Sequence, residues 1–451
     1  MRDAPMYLTT LLAGCIADRV FHGAPVEVRN KALACLFDAV VCALAGKNTT
    51  GSTSAKLVAA RIFGPGPAPL WFSDDRLSTV GAAFANSASV CALDFDDGHR
   101  AARGHPGAAV IPAVLAACAD STIDPEDFVA AIVAGYEIAI RIAAAQNPDN
   151  IKSRQSGLWA GYGAVAAAGC ILNTSTDHLA QALAINGVWA PNQAANGSSG
   201  YSKLTGNHAK EGIPWSVVTG LTALELAEEG FTGPADILDH ASHFNGGRIR
   251  SGLGLTWEIL GTYFKPYSCC RYIHPAIDAT LDLMRSRRLE PKDVLSIEVQ
   301  TFKWAQRLQN KVMPKTLVEA QYSLPFCLAA AVRHGASALA PINEQLLEDG
   351  DICSLTGAVT LTVDDQIDQK FPAETLARVT LTTPSGEITS TTAMPRGDVG
   401  RPMLWEELEK KFHGVCSGKM TAAREEDFDR AIDHLKSGDP VPFLQEISAD
   451  L

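Results

Sequence analysis

The sequence lacks the features that mark several common functional classes. Its 11 cysteines form no CxxC pair, and it contains no P-loop, no GxSxG motif and no GxGxxG turn after a predicted strand. These absences give no support to a zinc ribbon, a phosphate-binding loop, an α/β-hydrolase or a dinucleotide-binding fold. Internal repeats and low-complexity tracts are also missing.

Positive charge is scarce. Lys and Arg number 38 against 50 Asp and Glu, which leaves a formal net charge of -12. Nucleic-acid binding needs a clustered basic surface, so this balance disfavours such a partner. A small anionic substrate is compatible with it, because such a ligand responds to the local field of a pocket.

Long apolar runs are missing as well. The longest, residues 157–172 and 106–119, fall short of a membrane span and predict buried helices. The N-terminal segment carries Asp3 and has the pattern of an amphipathic helix, so we predict no signal peptide. An odd cysteine count without a disulfide framework is typical of a reducing compartment. We expect a cytoplasmic protein without membrane contact.

Apolar residues at helical spacing dominate the chain up to about residue 260. Helices are predicted over residues 26–45, 79–93 and 124–145, and the pair Glu137 and Arg141 in the last one is expected to be structural. Beyond residue 290 the pattern changes, and it predicts strands at 294–302, 359–363, 377–383 and 387–392 with helices at 318–334 and 427–436. The last two strands should form a hairpin.

These patterns predict a mainly α fold with two domains. We expect a large all-helical domain built from residues 1–265 with 400–451, and a smaller α+β domain formed by residues 266–399.

Residues 93–110, LDFDDGHRAARGHPGAAV, have the highest density of reactive side chains. The charged and titratable members are Asp94, Asp96, Asp97, His99, Arg100, Arg103 and His105. Pro106 suits the first turn of the following helix, so His105 should lie at a helix N-terminus, where an anion is favoured. The alternative is a polar loop whose charges pair with one another, with Asp96 and Asp97 capping local N–H groups.

Two further polar segments supply cations and imidazoles. Residues 192–210 contain Lys203, with His208 and Lys210 expected as surface or cap residues, and residues 263–277 contain a second His-Pro pair. Together these groups suit carboxylate recognition and proton transfer. Removing a proton beside a carboxylate requires both, since the developing enolate-like charge must be stabilised.

The chain resembles the MmgE/PrpD family in the order and spacing of its fragments along essentially its whole length. The fragments are DFDDGH, GHPGAAVIPA, GYEIAIRIAAA, GIPWSVVTGLTALELAEEGFTGP, KPYSCCRYIHPAID and AQYSLPFCLAAAV. The resemblance implies a homodimer with a helical domain, an inserted α+β domain and an active site in the cleft between them. It also implies metal-free chemistry without a cofactor on small di- and tricarboxylates, including dehydration, decarboxylation and epimerisation.

Carried onto this chain, the family motifs imply two groups of site residues. The expected catalytic residues are Asp94, His105, Lys203, Lys265 and Cys270. The expected substrate-binding residues are Arg103, Arg154, Tyr201 and His274, with a helix-start role as the alternative for His274.

Several positions depart from the decarboxylase pattern within this family. Arg154 and Cys270 stand where histidines are usual, Phe326 replaces a tyrosine, and Gly98 replaces a threonine. An arginine stays protonated, so Arg154 would bind a carboxylate instead of moving a proton. Cys270 could serve as a thiolate base only if Lys265 or Arg271 lowered its pKa.

The resulting hypothesis is a metal-independent lyase of the dehydratase type that removes a proton α to a carboxylate of a small di- or tricarboxylate. An epimerase or isomerase working through the same carbanion is the first alternative, favoured by Cys270. A catalytically silent homologue that binds a carboxylate is the second.

Overall fold

A computed structural model of the chain describes residues 6–119, 124–150, 155–192 and 206–450. Its N-terminal helices are α1 (Leu8–Ala17), α2 (Val26–Gly46), α3 (Thr50–Ile62), α4 (Thr79–Cys91), α5 (Gly107–Ala117), α6 (Pro125–Ala145), α7 (Ala160–Ile171), α8 (Thr176–Trp189), α9 (Ile213–Glu228) and α10 (Gly246–Arg250). Two short antiparallel ribbons accompany them: β1 (Ala68–Pro69) with β2 (Arg76–Leu77), and β3 (Gly98–His99) with β4 (Thr262–Tyr263).

The C-terminal part mixes helices and strands. Its elements are α11 (His274–Arg287), β5 (Ser296–Thr301), α12 (Leu317–Gln321), α13 (Leu324–His334), α14 (Gly350–Thr356), β6 (Val359–Val363), α15 (Asp365–Asp368), β7 (Ala377–Thr383) and β8 (Gly386–Thr389), followed by α16 (Trp405–Cys416), α17 (Ala422–Lys436) and α18 (Val441–Ile447).

The helical core is centred on α7, which packs against α5, α6 and α9. Small residues allow this close approach: a Cβ added to Gly163 would lie 2.9 Å from the carbonyl oxygen of Gly135 on α6. By length and composition α6 could cross a membrane, but 94% of its most apolar window is buried inside the fold. This burial is typical of a core helix.

The predicted ion pair on α6 is confirmed as structural. Arg141 Nε lies 3.1 Å from Glu137 Oε2, and both side chains are almost completely buried. The two terminal nitrogens of the Arg141 guanidinium donate to the carbonyl oxygens of Ser251 and Thr256, at 2.6 Å each. Both charges are thus satisfied inside the helical domain.

The predicted strands form one four-stranded sheet in the order β6-β5-β7-β8. β5 pairs in parallel with β6 and antiparallel with β7, and β7 and β8 form the expected hairpin. Helix α11 packs against β7 and α13 against α11. The mainly α fold with a smaller α+β part is confirmed.

The last helices return to the N-terminal helical body. Phe37 on α2 packs against Trp405 and Phe412 on α16 and against Phe443 on α18, with ring centroids 5.6 to 5.9 Å apart. The same two helices, α2 and α16, are also joined by an ion pair, in which Lys411 Nζ lies 2.7 Å from Asp38 Oδ1. The domain boundaries expected from composition stay a prediction.

One helix prediction was wrong in detail. Residues 318–334 form two helices, α12 and α13, instead of one. Ser323 caps the second helix by accepting a hydrogen bond from the N–H of Phe326, and Pro325 in its first turn has no N–H to continue the first helix. The apolar pattern runs through the break, which is why periodicity alone missed it.

Candidate active site

The loop at residues 93–110 crosses between α4 and α5 and is tied to the segment that precedes Lys265. Strand β3 in this loop pairs with β4, placing Gly98 opposite Tyr263 and His99 opposite Thr262. The approach is close, since a Cβ on Gly98 would lie 2.4 Å from the hydroxyl oxygen of Tyr263. This pairing joins two sequence segments that are distant along the chain.

Asp94, which precedes β3, and Lys265, which follows β4, form a buried ion pair. Asp94 adopts a left-handed backbone conformation with φ of 52°, which aspartate tolerates better than most residues. Its Oδ2 lies 3.1 Å from Lys265 Nζ, and its Oδ1 lies 3.5 Å from His105 Nε2. Both Asp94 and Lys265 are buried, so this pair interacts strongly.

His105 is held in one orientation by the loop around it. Its Nδ1 lies 2.7 Å from the carbonyl oxygen of Asp97, so Nδ1 is the protonated nitrogen and donates to that oxygen. The backbone N–H of His105 donates to Ser156 Oγ at 3.0 Å. In turn the carboxylate of Asp97 accepts from the hydroxyl of Tyr136 at 2.6 Å and from the N–H of Gly107 at 3.1 Å. Nε2 is left as the reactive nitrogen.

Burial and neighbouring charges act in opposite directions on these groups. Burial alone would raise the pKa of Asp94, but Lys265, Lys210 and His105 outweigh it and hold that pKa well below its usual range. Burial would likewise lower the pKa of His105, yet the carboxylates of Asp96 and Asp94 raise it above the ordinary value. The site therefore stabilises an imidazolium beside ionised carboxylates.

Asp97 behaves differently from Asp94 in the same loop. Burial raises its pKa to about 7, with the nearby carboxylates of Asp38 and Asp96 adding to the rise against the hydrogen bond from Tyr136. Its interaction with His105 passes through its backbone carbonyl, as described above. Asp97 is therefore a positioning residue.

Two adjoining cavities open on Asp94 and His105, which line both, together with Glu211 and Tyr322. The larger, here the broad chamber, has a volume of about 920 Å³ and is also lined by Asp96, Lys210 and Trp215 among others. The smaller, here the basic chamber, has a volume of about 350 Å³ and is also lined by Arg100, Arg103, Cys270, Arg271 and Arg307.

The arginines of the basic chamber fall into two kinds. Arg100 pairs with Asp398 and Arg271 lies 3.8 Å from the same carboxylate, so their charges are already engaged. Arg103 and Arg307 have no carboxylate partner within the described residues, and Arg307 stacks over the ring of Trp304 at 4.3 Å. These two guanidiniums suit the carboxylates of a bound ligand.

Lys210 belongs to the site although the sequence indicated a surface or cap role. It lines the broad chamber, and its Nζ donates to the carbonyl oxygen of Cys91 at 2.7 Å and to Gln321 Oε1 at 3.2 Å. The same cavity also contains His208, for which a surface role was expected. Only the polar composition of residues 192–210 signalled either residue.

The predicted site residues divide by where they lie. Asp94, Arg103, His105 and Cys270 line the cavities. Arg154, Tyr201 and Lys203 lie outside the described residues.

Lys265 and His274 differ from these residues, because both are fully buried and line neither cavity. Lys265 forms an ion pair with Asp94, and its catalytic role stays a prediction. The ring of His274 bonds the carbonyl oxygen of Cys269 at 3.1 Å and faces Arg271, and its substrate-binding role stays a prediction. Its alternative role at the start of α11 fits this placement.

Cys270 does not have the lowered pKa that a thiolate base would need. Burial raises the pKa of this thiol, and the negative charge of Asp94 raises it further, against the smaller effect of Lys265. Cys270 therefore faces the basic chamber as a neutral thiol.

Asp94, Asp96 and His105 have donor atoms within 4.8 Å of one another and are the group in the described part of the chain that could hold a metal ion. However, Lys265 Nζ already lies 3.1 Å from Asp94 Oδ2. A bound cation would have to share Asp94 with this ammonium, which charge repulsion disfavours.

Comparison with known proteins agrees with these features. The MmgE/PrpD N-terminal domain matches residues 10–247, and the MmgE/PrpD C-terminal domain matches residues 267–436. A cis-aconitate decarboxylase from Aspergillus terreus is 25% identical, covering 93% of this chain and 92% of its own. A cis-aconitate decarboxylase-like protein, oryM, from Aspergillus oryzae is 24% identical over 95% and 94%. The human cis-aconitate decarboxylase is 24% identical over 76% and 74%. With both of its domains matched over most of its length, the chain belongs to the MmgE/PrpD family.

Proposed function

We propose that this protein is a metal-independent lyase of the dehydratase type, which removes water from a small hydroxy di- or tricarboxylate after abstraction of the proton α to a carboxylate. The central observation is the position of His105, whose Nε2 faces Asp94 where the basic chamber meets the broad chamber. Relatives named cis-aconitate decarboxylase support the lyase class.

Substrate carboxylates bind in the basic chamber. Arg103 and Arg307 supply planar guanidiniums that have no carboxylate partner among the described residues. Paired N–H donors of this kind match a carboxylate in geometry and charge. Binding there presents the neighbouring carbon to His105.

Neutral His105 then takes the α-proton on Nε2. The electrons of the broken C–H bond form the new C=C bond, and the C–O bond breaks with its electron pair going to oxygen. The imidazolium returns its proton to that oxygen, and water leaves. Asp94 and Asp96 stabilise the imidazolium in the intermediate stage, which is the same effect that raises the pKa of His105.

The test is turnover of a panel of hydroxy di- and tricarboxylates, followed by absorbance of the conjugated product and by proton NMR. Wild-type protein should produce an unsaturated acid, and His105→Gln should lower kcat by about 10²- to 10⁴-fold. His334→Gln is the matched control, because His334 lies on the surface beside Asp349. A panel without any product from the wild type would refute the proposal.

Epimerisation through the same carbanion is the second candidate. Cys270 also lines the basic chamber, and its neutral thiol can donate a proton to the carbanion in place of His105. Incorporation of solvent deuterium without loss of water would favour it over dehydration. Thermal stabilisation by these acids with neither turnover nor exchange would instead indicate a silent carboxylate-binding homologue.

A further inference from the structure

Asp96 is a buried carboxylate whose oxygens lack hydrogen bonds from the described residues. The residue is 1% exposed, and neither Oδ1 nor Oδ2 has a hydrogen-bond partner in the described part of the chain. The nearest cationic group is His105 Nδ1 at 3.5 Å, which already donates to the carbonyl oxygen of Asp97 at 2.7 Å. A charge attraction is present, but the hydrogen-bonding capacity of Asp96 is unused.

The neighbouring aspartates show that this is specific to Asp96. Asp94 lies 3.1 Å from the ammonium of Lys265. Asp97 accepts hydrogen bonds from Tyr136 and Gly107. Within one short loop, therefore, the other two carboxylates have partners supplied by the protein.

Asp96 also lines the broad chamber beside Asp94 and His105. An ionised carboxylate can only accept hydrogen bonds, and a buried one without donors is costly. Buried polar groups without partners are rare in folded proteins and call for an explanation. A donor brought by the ligand would supply the hydrogen bond that the described residues do not provide.

We infer that Asp96 accepts a hydrogen bond from a hydroxyl group of the substrate, and that the preferred ligands are hydroxy polycarboxylates instead of their unhydroxylated counterparts. This inference rests on the proposed function, because the group bound by Asp96 is the one that leaves as water. The donor atoms of Asp94, Asp96 and His105 lie within 4.8 Å of one another, so a hydroxyl at Asp96 lies close to the imidazole of His105, which returns the proton in the proposed reaction.

The inference predicts a difference between ligands that differ only in the hydroxyl. Malate and succinate form one such pair, and citrate and tricarballylate form another. A charge-assisted hydrogen bond in a buried site should make the hydroxy member bind about 10- to 100-fold more tightly. Both members of a pair use the same arginines, so the ratio isolates the contribution of the hydroxyl.

Calorimetric titration of both pairs into protein that has been treated with a metal chelator measures this ratio without requiring turnover. Asp96→Asn should reduce the preference several-fold, since the amide oxygen accepts a weaker hydrogen bond, and Asp96→Ala should bring it close to one. Asp97→Asn is the matched control, because Asp97 is equally buried and lines neither cavity. It should leave the ratio unchanged even where it weakens both ligands.

Equal affinity within each pair for the wild type would overturn the inference, as would a preference that persists in a folded Asp96→Ala. Stabilisation of the ligand-free protein by Mg²⁺ or Mn²⁺ that disappears in Asp96→Asn would overturn it too, by assigning the carboxylate to a cation. Turnover without the hydroxyl preference would refute only this inference. A preference without turnover or exchange would refute only the lyase proposal.

Discussion

Two His-Pro pairs begin helices in this protein, His105-Pro106 before α5 and His274-Pro275 at the start of α11. Their environments are opposite. The side chain of His105 is 14% exposed, lines both cavities and lies beside two aspartates. His274 is fully buried and faces the guanidinium of Arg271 at 3.2 Å.

The charges around each ring decide what it can do. Carboxylates raise the pKa of His105, whereas burial and then the charges of Arg271 and Lys265 hold the pKa of His274 well below its ordinary value. The first imidazole is therefore protonated more readily than a free histidine, and the second stays neutral. The same dipeptide at a helix start thus carries the proposed base at a cavity in one place and packs in the core in the other.

The largest expected effect separates the two histidines by substitution. Replacing His274 with Gln removes a buried ring that contacts Arg271, so it should lower the free energy of unfolding by about 1–3 kcal/mol. Its kcat should nevertheless stay within about tenfold of wild type, against the 10²- to 10⁴-fold loss at His105. Denaturant unfolding and steady-state kinetics on the same samples check this. A folded His274→Gln with a loss as severe as His105→Gln would break the comparison.

Lys265→Met tests the partner of Asp94. Removing one member of a buried ion pair leaves the other charge unpaired, so we expect a loss of about 3–5 kcal/mol in the free energy of unfolding. The pKa of His105 should rise at the same time, because Lys265 lowers it in the wild type. Urea denaturation and the pH dependence of kcat/KM measure the two effects. Lys31→Met is a matched control, since Lys31 is also an internal lysine but lies over Phe264.

The unpaired arginines should govern binding more than chemistry. Arg307→Gln removes a guanidinium from the basic chamber, so KM should rise about tenfold with a smaller change in kcat. Arg61→Gln on α3 is the surface control. An unchanged KM would place the substrate carboxylates elsewhere.

The smallest expected effect is a shift along the pH axis. The proposed base, His105, is active in its neutral form, so kcat/KM should rise with pH through a pKa that lies above the ordinary value of about 6.5. Asp96→Asn removes a charge that raises this pKa and should move the rise to lower pH.

NMR titration of the imidazoles sharpens the same comparison. His105 should titrate above the ordinary value of about 6.5, and His274 should keep its neutral form well into the acidic range because its pKa is lowered. A His274 signal that titrates with an ordinary pKa would contradict the buried, arginine-facing environment.

Much of the fold followed from local sequence information. Helical spacing predicted α2 and α6, and alternation predicted β6 and β7 with the bounds that the structure has. These elements are encoded by the periodicity of short windows, so a single sequence is enough to find them. The density of charged residues in the 93–110 loop likewise pointed to the cavity.

The remaining site residues depend on contacts that no local window contains. Lys210 and Arg307 reach the cavities only after distant segments pack together, and neither carries a motif. The two-residue strands β3 and β4 are too short to leave an alternating pattern, yet their pairing brings the loop close to Lys265. Chemistry-bearing residue types could be recognised, but whether each faced a cavity or the core could not.

The contact between Gly98 and Tyr263 ties two positions together in any redesign of the site. A threonine at 98, which the decarboxylase pattern places there, has a Cβ that would collide with the phenol ring. Tyr263 is buried and also packs under the guanidinium of Arg271, with 4.5 Å between the guanidinium carbon and the ring centroid. Interconverting the two kinds of loop therefore takes a paired exchange, in which the aromatic residue is trimmed before the hydroxyl is added, and the arginine that rests on it moves as well.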